Sequence, residues 1–230
     1  MVEQGFLGAL GCDTDTKLTA ACAAKLVAGG MKFVLRYLSL GSPAPGDLDK
    51  TEVDAILSAN LSLMAVQHVR SPGWMPTGQL GGQDGSSAAH NAVVAGIPAG
   101  VTIWLDLEGV SSVSPAQSVI DYVRSWYTAV RASGYDCGLY VGSGVPLDGA
   151  QLYSLPVDRY WRSFSEVPNV NRRGYCMIQL YDTTKIGGID VDLDVIQSDY
   201  LGGLPRWLAP APAAPLATAP AGACSPDGAA

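Results

Sequence analysis

The sequence contains no cluster of lysine and arginine residues. Its 230 residues include 14 Lys and Arg against 21 Asp and Glu, which gives a formal net charge of -7 at pH 7. Nucleic-acid-binding proteins concentrate basic side chains on one face, so we expect no nucleic-acid partner. The content of 48% hydrophobic and 15% charged residues is typical of a folded globular protein, and the length suffices for one barrel-sized domain.

Long apolar runs and paired cysteines are also missing. No apolar stretch has the length needed to cross a bilayer, and residues 1–10 lack the basic start, apolar core and cleavage site of a signal peptide. We therefore expect synthesis in the cytoplasm without a signal peptide, and no membrane insertion. The cysteines are odd in number and form no Cys-x-x-Cys pair, which favours buried reduced thiols over disulfides or a zinc site: Cys12, Cys22, Cys137, Cys176 and Cys224.

Residues that bind metal ions are too sparse to predict a metal site. The two histidines, His68 and His90, supply too few nitrogen ligands for zinc, and we expect His90 on the surface of a small helix. The Asp-x-Asp-x-Asp pattern at 190–194 hints at a calcium loop, but Val195 and Leu201 stand where Gly and Glu are needed. The sequence therefore predicts neither a metal ion nor another cofactor.

Strand-like and helix-like patterns alternate along the first two thirds of the chain. The strands are predicted from short apolar runs rich in β-branched residues, at residues 8–12, 31–38, 61–69, 101–108 and 137–141. A helix is predicted after each of these strands, at residues 18–28, from Asp49 onward, and at 87–95, 115–133 and 148–155. A Gly-rich loop is expected at 78–85, ahead of the third helix.

Three further strands are predicted without helices between them, at residues 160–164, 176–181 and 189–196. The connection at 182–188 is too short for a parallel crossover, so we expect antiparallel pairing where the sheet closes. The sequence thus predicts an α/β fold, an irregular TIM-type barrel with about five βα units followed by three strands with short connections. The barrel is expected to span residues 1–204, with an Ala/Pro-rich flexible tail at 205–230.

Acidic residues stand at the ends of predicted strands that are far apart in the sequence. Because strand side chains alternate between two faces, Asp106 and Glu108 share one face, roughly 6.5 to 7 Å apart along the backbone. Asp192 lies on the polar face of the last strand, and Asp13 ends the first. The first and last strands become neighbours when a barrel closes, so we expect all four acids at its C-terminal rim, where barrel enzymes carry their catalytic residues.

These acids permit two interpretations. An acid after a strand often caps a helix or points into solvent, and for any single residue that interpretation is at least as good as a functional one. Four acids on one rim repel each other, which costs stability unless a cleft uses the charge. Paired carboxylates around a glycosidic bond are what sugar hydrolysis requires.

Several motifs, taken in order along residues 5–200, resemble a known family. They are Gly11–Thr14, Phe33–Tyr37, Ile97–Gly100, Gly134–Tyr140, and Gln179 together with Val191–Val195. The set resembles the glycoside-hydrolase-like family of unknown function numbered 1906, which is similar to the glycoside hydrolase family 25 lysozymes, the N-acetylmuramidases. The resemblance rests on the ordered set and covers nearly all of the predicted barrel.

The resemblance implies roles for the acidic residues. Glu108 would be the general acid that protonates the leaving oxygen, and Asp106 would stabilise the developing positive charge. Asp13 and Asp192 would shape the charge of the site and hold water or substrate. Further residues are expected to bind the sugar along the same rim: Arg36, Tyr37, Gln67, His68, Tyr140, Trp161, Gln179 and Tyr181.

The function that follows from this resemblance is glycosidic bond hydrolysis in peptidoglycan, an amino-sugar polysaccharide, by a glycosidase of lysozyme or endolysin type. We expect a monomer that meets bacterial cell-wall glycan after release from the cytoplasm, a setting that would suit a phage protein. One alternative is a non-catalytic cell-wall glycan-binding module on the same barrel. Another is an acidic intracellular barrel that acts on a different small substrate.

Overall fold

The computed structural model describes residues 1–211, except for the side chains of Tyr181 and Asp182. The strands in this part of the chain are β1 (Val2–Gln4), β2 (Leu10–Asp13), β3 (Phe33–Leu38), β4 (Ser62–Gln67), β5 (Thr102–Leu107), β6 (Asp136–Val141), β7 (Arg159–Arg162), β8 (Met177–Ile186), β9 (Ile189–Ile196) and β10 (Arg206–Leu208). The helices are α1 (Ala20–Ala28), α2 (Lys50–Ser58), α3 (Gly78–Val94), α4 (Ala116–Ala132) and α5 (Gly149–Tyr153).

Strands β2 to β9 form a closed barrel. Strands β2 to β8 pair in sequence order, each parallel to the next. Strand β9 then pairs antiparallel with both β8 and β2 and completes the ring. The predicted α/β fold, an irregular TIM-type barrel with five βα units, is confirmed. Among the strands of the closed barrel, antiparallel pairing is confined to β9, because the residues between β7 and β8 are numerous enough for a parallel crossover without a helix.

Strand alternation places two different cores on the two faces of the barrel. Ile103, Leu105 and Leu107 face outward and pack beneath the helices. Trp104 faces inward, where it belongs to an interior cluster of apolar side chains that also contains Phe33, Leu35, Met64, Val66, Trp161 and Met177. The face that carries Trp104 on β5 therefore also carries Asp106 at the C-terminal end of the barrel.

Helix α3 begins nine residues before the predicted start at Ser87. The segment predicted as a Gly-rich loop is the first half of this helix, and its N-cap Thr77 accepts a hydrogen bond from the backbone N–H of Leu80. Glycine lowers helix propensity, but here it permits close packing of α3 on α4. A Cβ atom at Gly81 would lie 2.1 Å from the carbonyl oxygen of Tyr122, and one at Gly85 would lie 2.6 Å from that of Trp126.

The sheet continues past residue 204, where the sequence placed the end of the domain. Strand β10 pairs antiparallel with β1 and with the N-terminal end of β4, through Leu208 opposite Leu63. Trp207 is 4% exposed and packs on Phe33 at the N-terminal end of the barrel, with ring centroids 5.8 Å apart. The barrel domain thus extends through β10, and the remainder of the predicted tail, from residue 212, lies outside the described residues.

The structure also tests the predictions about membrane spans, cysteines and His90. No helix in residues 1–211 is both long and apolar enough to span a membrane. Four cysteines of this part of the chain are free, and Cys12, Cys137 and Cys176 are buried as predicted. His90 is exposed on α3, which agrees with the sequence prediction.

Candidate active site

Acidic side chains from β2, β5 and β9 meet at the C-terminal end of the barrel. In the antiparallel ladder Asp13 lies opposite Asp192, and the side-chain amide of Gln179 donates to both, at 3.2 Å and 3.0 Å. The backbone N–H of Thr183 also donates to Asp192. We call this group of acids the acidic mouth: Asp13, Asp106, Glu108, Asp192 and Asp194.

The carboxyl group of Asp13 is 4% exposed, and each of its two oxygens accepts a hydrogen bond. Tyr37 donates its hydroxyl to Oδ1 at 2.9 Å, while Gln179 donates to Oδ2. Burial, followed by the charge of Asp192, raises the pKa of Asp13 to about 7 in spite of these two donors. Near neutral pH this group therefore exists in both protonation states.

The two acids of β5 differ in their exposure. Asp106 is 7% exposed, and its buried Oδ1 atom has no hydrogen-bond partner. Burial raises the pKa of Asp106 well above its ordinary value, and the charges of Glu108 and Asp13 add to the effect. Glu108, one residue beyond β5, is half-buried, and burial followed by the charge of Asp192 raises its pKa. Glu108 is therefore the more accessible of two carboxyl groups that favour the protonated form.

The backbone around Glu108 is held by contacts with neighbouring loops. Its carbonyl oxygen accepts a hydrogen bond of 2.8 Å from Trp74 Nε1, and Gly109 donates to the carbonyl of Ser143 at 2.7 Å. Gly142, after β6, packs directly against the Glu108 side chain, because a Cβ atom there would lie 2.4 Å from that of Glu108. These contacts fix the position at which the Glu108 side chain enters the acidic mouth.

Aromatic side chains surround the acids. Tyr140 donates its hydroxyl to Gln179 Oε1 at 3.0 Å, so Gln179 connects Tyr140 with Asp13 and Asp192. The Tyr37 ring stacks on His68 with centroids 4.5 Å apart. His68 Nε2 in turn lies 2.9 Å from Asp47 Oδ1. Of the predicted sugar-binding residues, Tyr37, His68, Tyr140 and Gln179 thus lie in or beside the mouth, and the side chain of Tyr181 is outside the described residues.

Three predicted sugar-binding residues require correction. Arg36 is fully buried on the outer face of β3, where its Nε donates to Glu52 at 2.6 Å and its other nitrogens donate to backbone carbonyls. Gln67 is fully buried behind β4, where it donates to the Asp84 carbonyl and accepts from Trp126 Nε1 at 2.7 Å. Trp161 faces inward but is 2% exposed, so it lies beneath the mouth and offers no free ring face.

The predicted catalytic and sugar-binding residues do not include Asp194 and Trp74. Asp194 is fully buried inside the barrel, accepts a hydrogen bond of 2.9 Å from Trp161 Nε1 and has its pKa raised well above the ordinary value by burial and then by Asp13. Because side chains alternate along a strand, the sequence already places Asp194 on the same face as Asp192. Trp74 stands in a loop, and no sequence signal connects it with Glu108.

A small cavity of about 160 Å³ opens beside the acidic mouth, between the ends of β2 and β9. Its lining residues are Asp13, Thr14, Asp15, Thr16, Tyr37, Thr183, Asp190, Val191 and Asp192. A second groove of about 400 Å³ is lined mainly by the connection between β7 and β8 and by residues 197–200, which follow β9. Its acid, Asp199, is paired with Arg173 at 2.8 Å. The smaller cavity is lined by Asp13, whose pKa is raised, and by Asp192, so we assign the candidate site there.

The fold and the site together define a glycoside-hydrolase-like barrel. A family model, the Rv2525c-like, glycoside hydrolase-like domain, matches residues 24–196. The chain belongs to this family. No curated protein matches the sequence.

Solved structures with the same fold share little sequence with this chain. The Tat-secreted protein Rv2525c of Mycobacterium tuberculosis is 16% identical, covers 85% of this chain and 100% of its own, and has a TM-score of 0.62. A bacterial lysozyme from Streptomyces coelicolor is 13% identical over 84% of this chain and 93% of its own, with a TM-score of 0.57. The spore cortex lytic enzyme SleM of Clostridium perfringens is 13% identical over 84% of this chain and 68% of its own, with a TM-score of 0.62.

Proposed function

We propose that this protein is a glycoside hydrolase of lysozyme type that cleaves a glycosidic bond in peptidoglycan at the bacterial cell wall. The observation that carries the proposal is the acidic mouth, in which a half-buried glutamate with a raised pKa faces acids from other strands. Glycoside hydrolysis needs one carboxyl group that is protonated and another that is ionised. The family and the lysozyme-like barrels of similar fold support the same class of reaction.

In this proposal Glu108 donates the proton to the leaving oxygen. Its raised pKa favours the protonated form, which is the form that a general acid requires. Asp106, on the same strand face, stabilises the positive charge that develops on the sugar ring, because that charge in turn favours the ionised form of its carboxyl group. Asp13 and Asp192, held by Gln179, set the charge around the reacting bond and orient water.

The aromatic residues beside the mouth would bind the sugar chain. Tyr37 and His68 form a stacked pair on the β3–β4 side, and Tyr140 lies on the β6 side. Aromatic rings pack well against the apolar faces of sugars, while their polar atoms remain hydrogen-bonded. In this arrangement the glycan crosses the end of the barrel between the two sides.

The test is hydrolysis of purified bacterial cell walls by the wild-type protein and by Glu108→Gln. We expect the wild type to release reducing ends and soluble muropeptides, and the variant to be slower by at least about 100-fold, because general acid catalysis contributes that much. Glu3→Gln is the matched control, since Glu3 is exposed on β1 at the far end of the barrel. Its rate should equal that of the wild type.

Two results would count against the proposal. Wall binding without release of reducing ends would favour the alternative function, a non-catalytic glycan-binding module. Release that persists in Glu108→Gln would show that another group supplies the proton.

A further inference from the structure

The larger groove, of about 400 Å³, lies on the outer wall of the barrel and apart from the acidic mouth. Arg162 and Ile178 pair in the parallel ladder of β7 and β8, and both side chains line this groove. Their chain neighbours Trp161 and Met177 belong to the interior cluster, so Arg162 and Ile178 point outward. The barrel wall therefore separates this groove from the acids inside the barrel.

One charge in the groove is uncompensated. Of the charged side chains that line it, Arg162 alone forms no ion pair or side-chain hydrogen bond in the described part of the chain, although it is half-buried. Asp199 is not available to Arg162. One of its oxygens accepts from Arg173 at 2.8 Å, and the other accepts from the backbone N–H groups of Leu201 and Gly203. Partial burial of an unpaired charge costs free energy, so this position favours an anion.

The surroundings of Arg162 favour a carboxylate as that anion. Burial raises the pKa of Tyr175 to about 12, and the charge of Arg162 acts in the opposite direction, so the guanidinium group lies near this hydroxyl. The Tyr175 hydroxyl already donates its proton to the carbonyl oxygen of Pro168. A free guanidinium group presents several N–H donors in one plane, and a carboxylate can accept two of them at once.

An exposed aromatic ring is held in the same groove. Tyr200 is 79% exposed, yet its backbone N–H donates to the carbonyl oxygen of Arg173 at 2.8 Å. Its ring packs against Gly174, where a Cβ atom would lie 3.3 Å from the ring. A ring that is exposed but held in place can pack against the flat, partly apolar face of a sugar without a large loss of side-chain freedom.

We infer that this groove binds a sugar that carries a carboxylate group, with the carboxylate on Arg162 and the sugar ring against Tyr200. Asn169, Gln197 and Ser198 also line the groove and offer polar groups to the sugar hydroxyls. This is a second binding site, and it does not depend on hydrolysis at the acidic mouth. Two sources share the required chemistry: a uronic acid of a polysaccharide, and muramic acid whose lactyl group carries no peptide.

The experiment is a titration followed by the NMR signals of the backbone amides, with N-acetylmuramic acid, N-acetylglucosamine and glucuronic acid as probes. The first two differ only in the lactyl group that carries the carboxylate. We expect at least one of the acidic sugars to bind at least about tenfold more tightly than the neutral sugar, as a hydrogen bond between charged groups allows. The shifted signals should include Gly174 and Tyr200. The acidic sugar that binds more tightly identifies the source.

Three variants separate recognition in the groove from general attraction to a cation. Arg162→Gln should bind the acidic and the neutral sugar alike, because the partner of the carboxylate is gone. Arg172→Gln is the matched control and should keep the preference, since Arg172 lies exposed in the same connection and does not line the groove. Tyr200→Ala should weaken the binding of all three sugars. The wild-type affinities and shifts decide the question even where Arg162→Gln does not fold.

Several results would overturn the inference. They are no binding of either acidic sugar, equal binding of acidic and neutral sugars by the wild type, and an equal loss in Arg162→Gln and Arg172→Gln. Shifts confined to the acidic mouth, at residues such as Asp13 and Gln179, would also overturn it. Groove binding without wall cleavage would contradict only the proposed function, and cleavage without groove binding would contradict only this inference.

Discussion

The carboxyl group of Asp13 experiences opposing influences on its proton. Hydrogen bonds from Tyr37 and Gln179 favour the ionised form, whereas burial and the charge of Asp192 favour the protonated form. Burial is the largest of these, and the pKa rises to about 7. Ionising Asp13 in the folded protein therefore costs free energy, so the free energy of unfolding must depend on pH.

We expect the stability of the wild type to fall between about pH 4 and pH 7 because of this group. In that range the folded state keeps the Asp13 proton, while the unfolded chain, with a pKa near 3.8, has lost it. The folded state then binds more protons, so the free energy of unfolding decreases as the pH rises, with a slope of at most about 1.4 kcal/mol per pH unit from one group. Urea unfolding across this range measures the slope.

Asp13→Asn tests the assignment of that slope. The variant cannot ionise at this position, and its curve of stability against pH should be flatter than that of the wild type, whatever its absolute stability. The matched control is Asp54→Asn, which removes an exposed acid and should leave the slope unchanged. A slope that is the same in Asp13→Asn and in the wild type would contradict the raised pKa.

Side chains alternate between the two faces of a strand, and this rule determines which single residues of the site could be predicted from the sequence. It correctly predicts that Asp106 lies on the face of β5 that points toward the mouth, the face that also carries Trp104. The same rule requires that neighbours such as Arg36 and Tyr37 face opposite sides, so a prediction that both contact one ligand conflicts with it. Gln67 and His68 are a second such pair. The depth of Asp106 was not predictable, because burial depends on packing from distant strands.

At the scale of elements, the packing of α3 on α4 depends on glycine. We expect Gly81→Ala to destabilise the fold by several kcal/mol, because the added Cβ would lie 2.1 Å from the backbone oxygen of Tyr122, which cannot move without shifting α4. Gly82→Ala is the control in the same helix, where a Cβ meets nothing within 4 Å. That variant should gain about 0.5–1 kcal/mol from helix propensity. Thermal unfolding distinguishes the two.

The same packing explains why the start of this helix was not predicted. Glycine and polar residues at 78–85 favour a loop when only local propensity is considered. The tertiary contact overrides that preference, since only glycine permits the close approach of the two helices. Gly81→Ala and Gly82→Ala with equal stability would show that this contact does not select glycine.

At the scale of the whole molecule, the two ends of the barrel have different compositions. The C-terminal end of the strands carries the acidic mouth, while the N-terminal end is filled by apolar residues, including Phe33 and Trp207. The βα alternation in the sequence predicted the barrel and its closure by β9. It did not predict β10, because a three-residue strand next to an Ala/Pro-rich segment gives no periodic signal.

A substitution of Trp207 therefore tests whether the fold can be destabilised without a change in the acidic mouth. Trp207→Ala removes a ring that packs on Phe6 and Phe33, and we expect a loss of about 3–5 kcal/mol in the free energy of unfolding. Leu201→Ala is the control, since Leu201 is 55% exposed and its loss should have little effect. Because Trp207 lies at the end of the barrel opposite Glu108, the variant should hydrolyse purified cell walls at the wild-type rate at a temperature where it remains folded. A slower rate in a folded Trp207→Ala protein would mean that the apolar end helps to set the geometry of the acidic mouth.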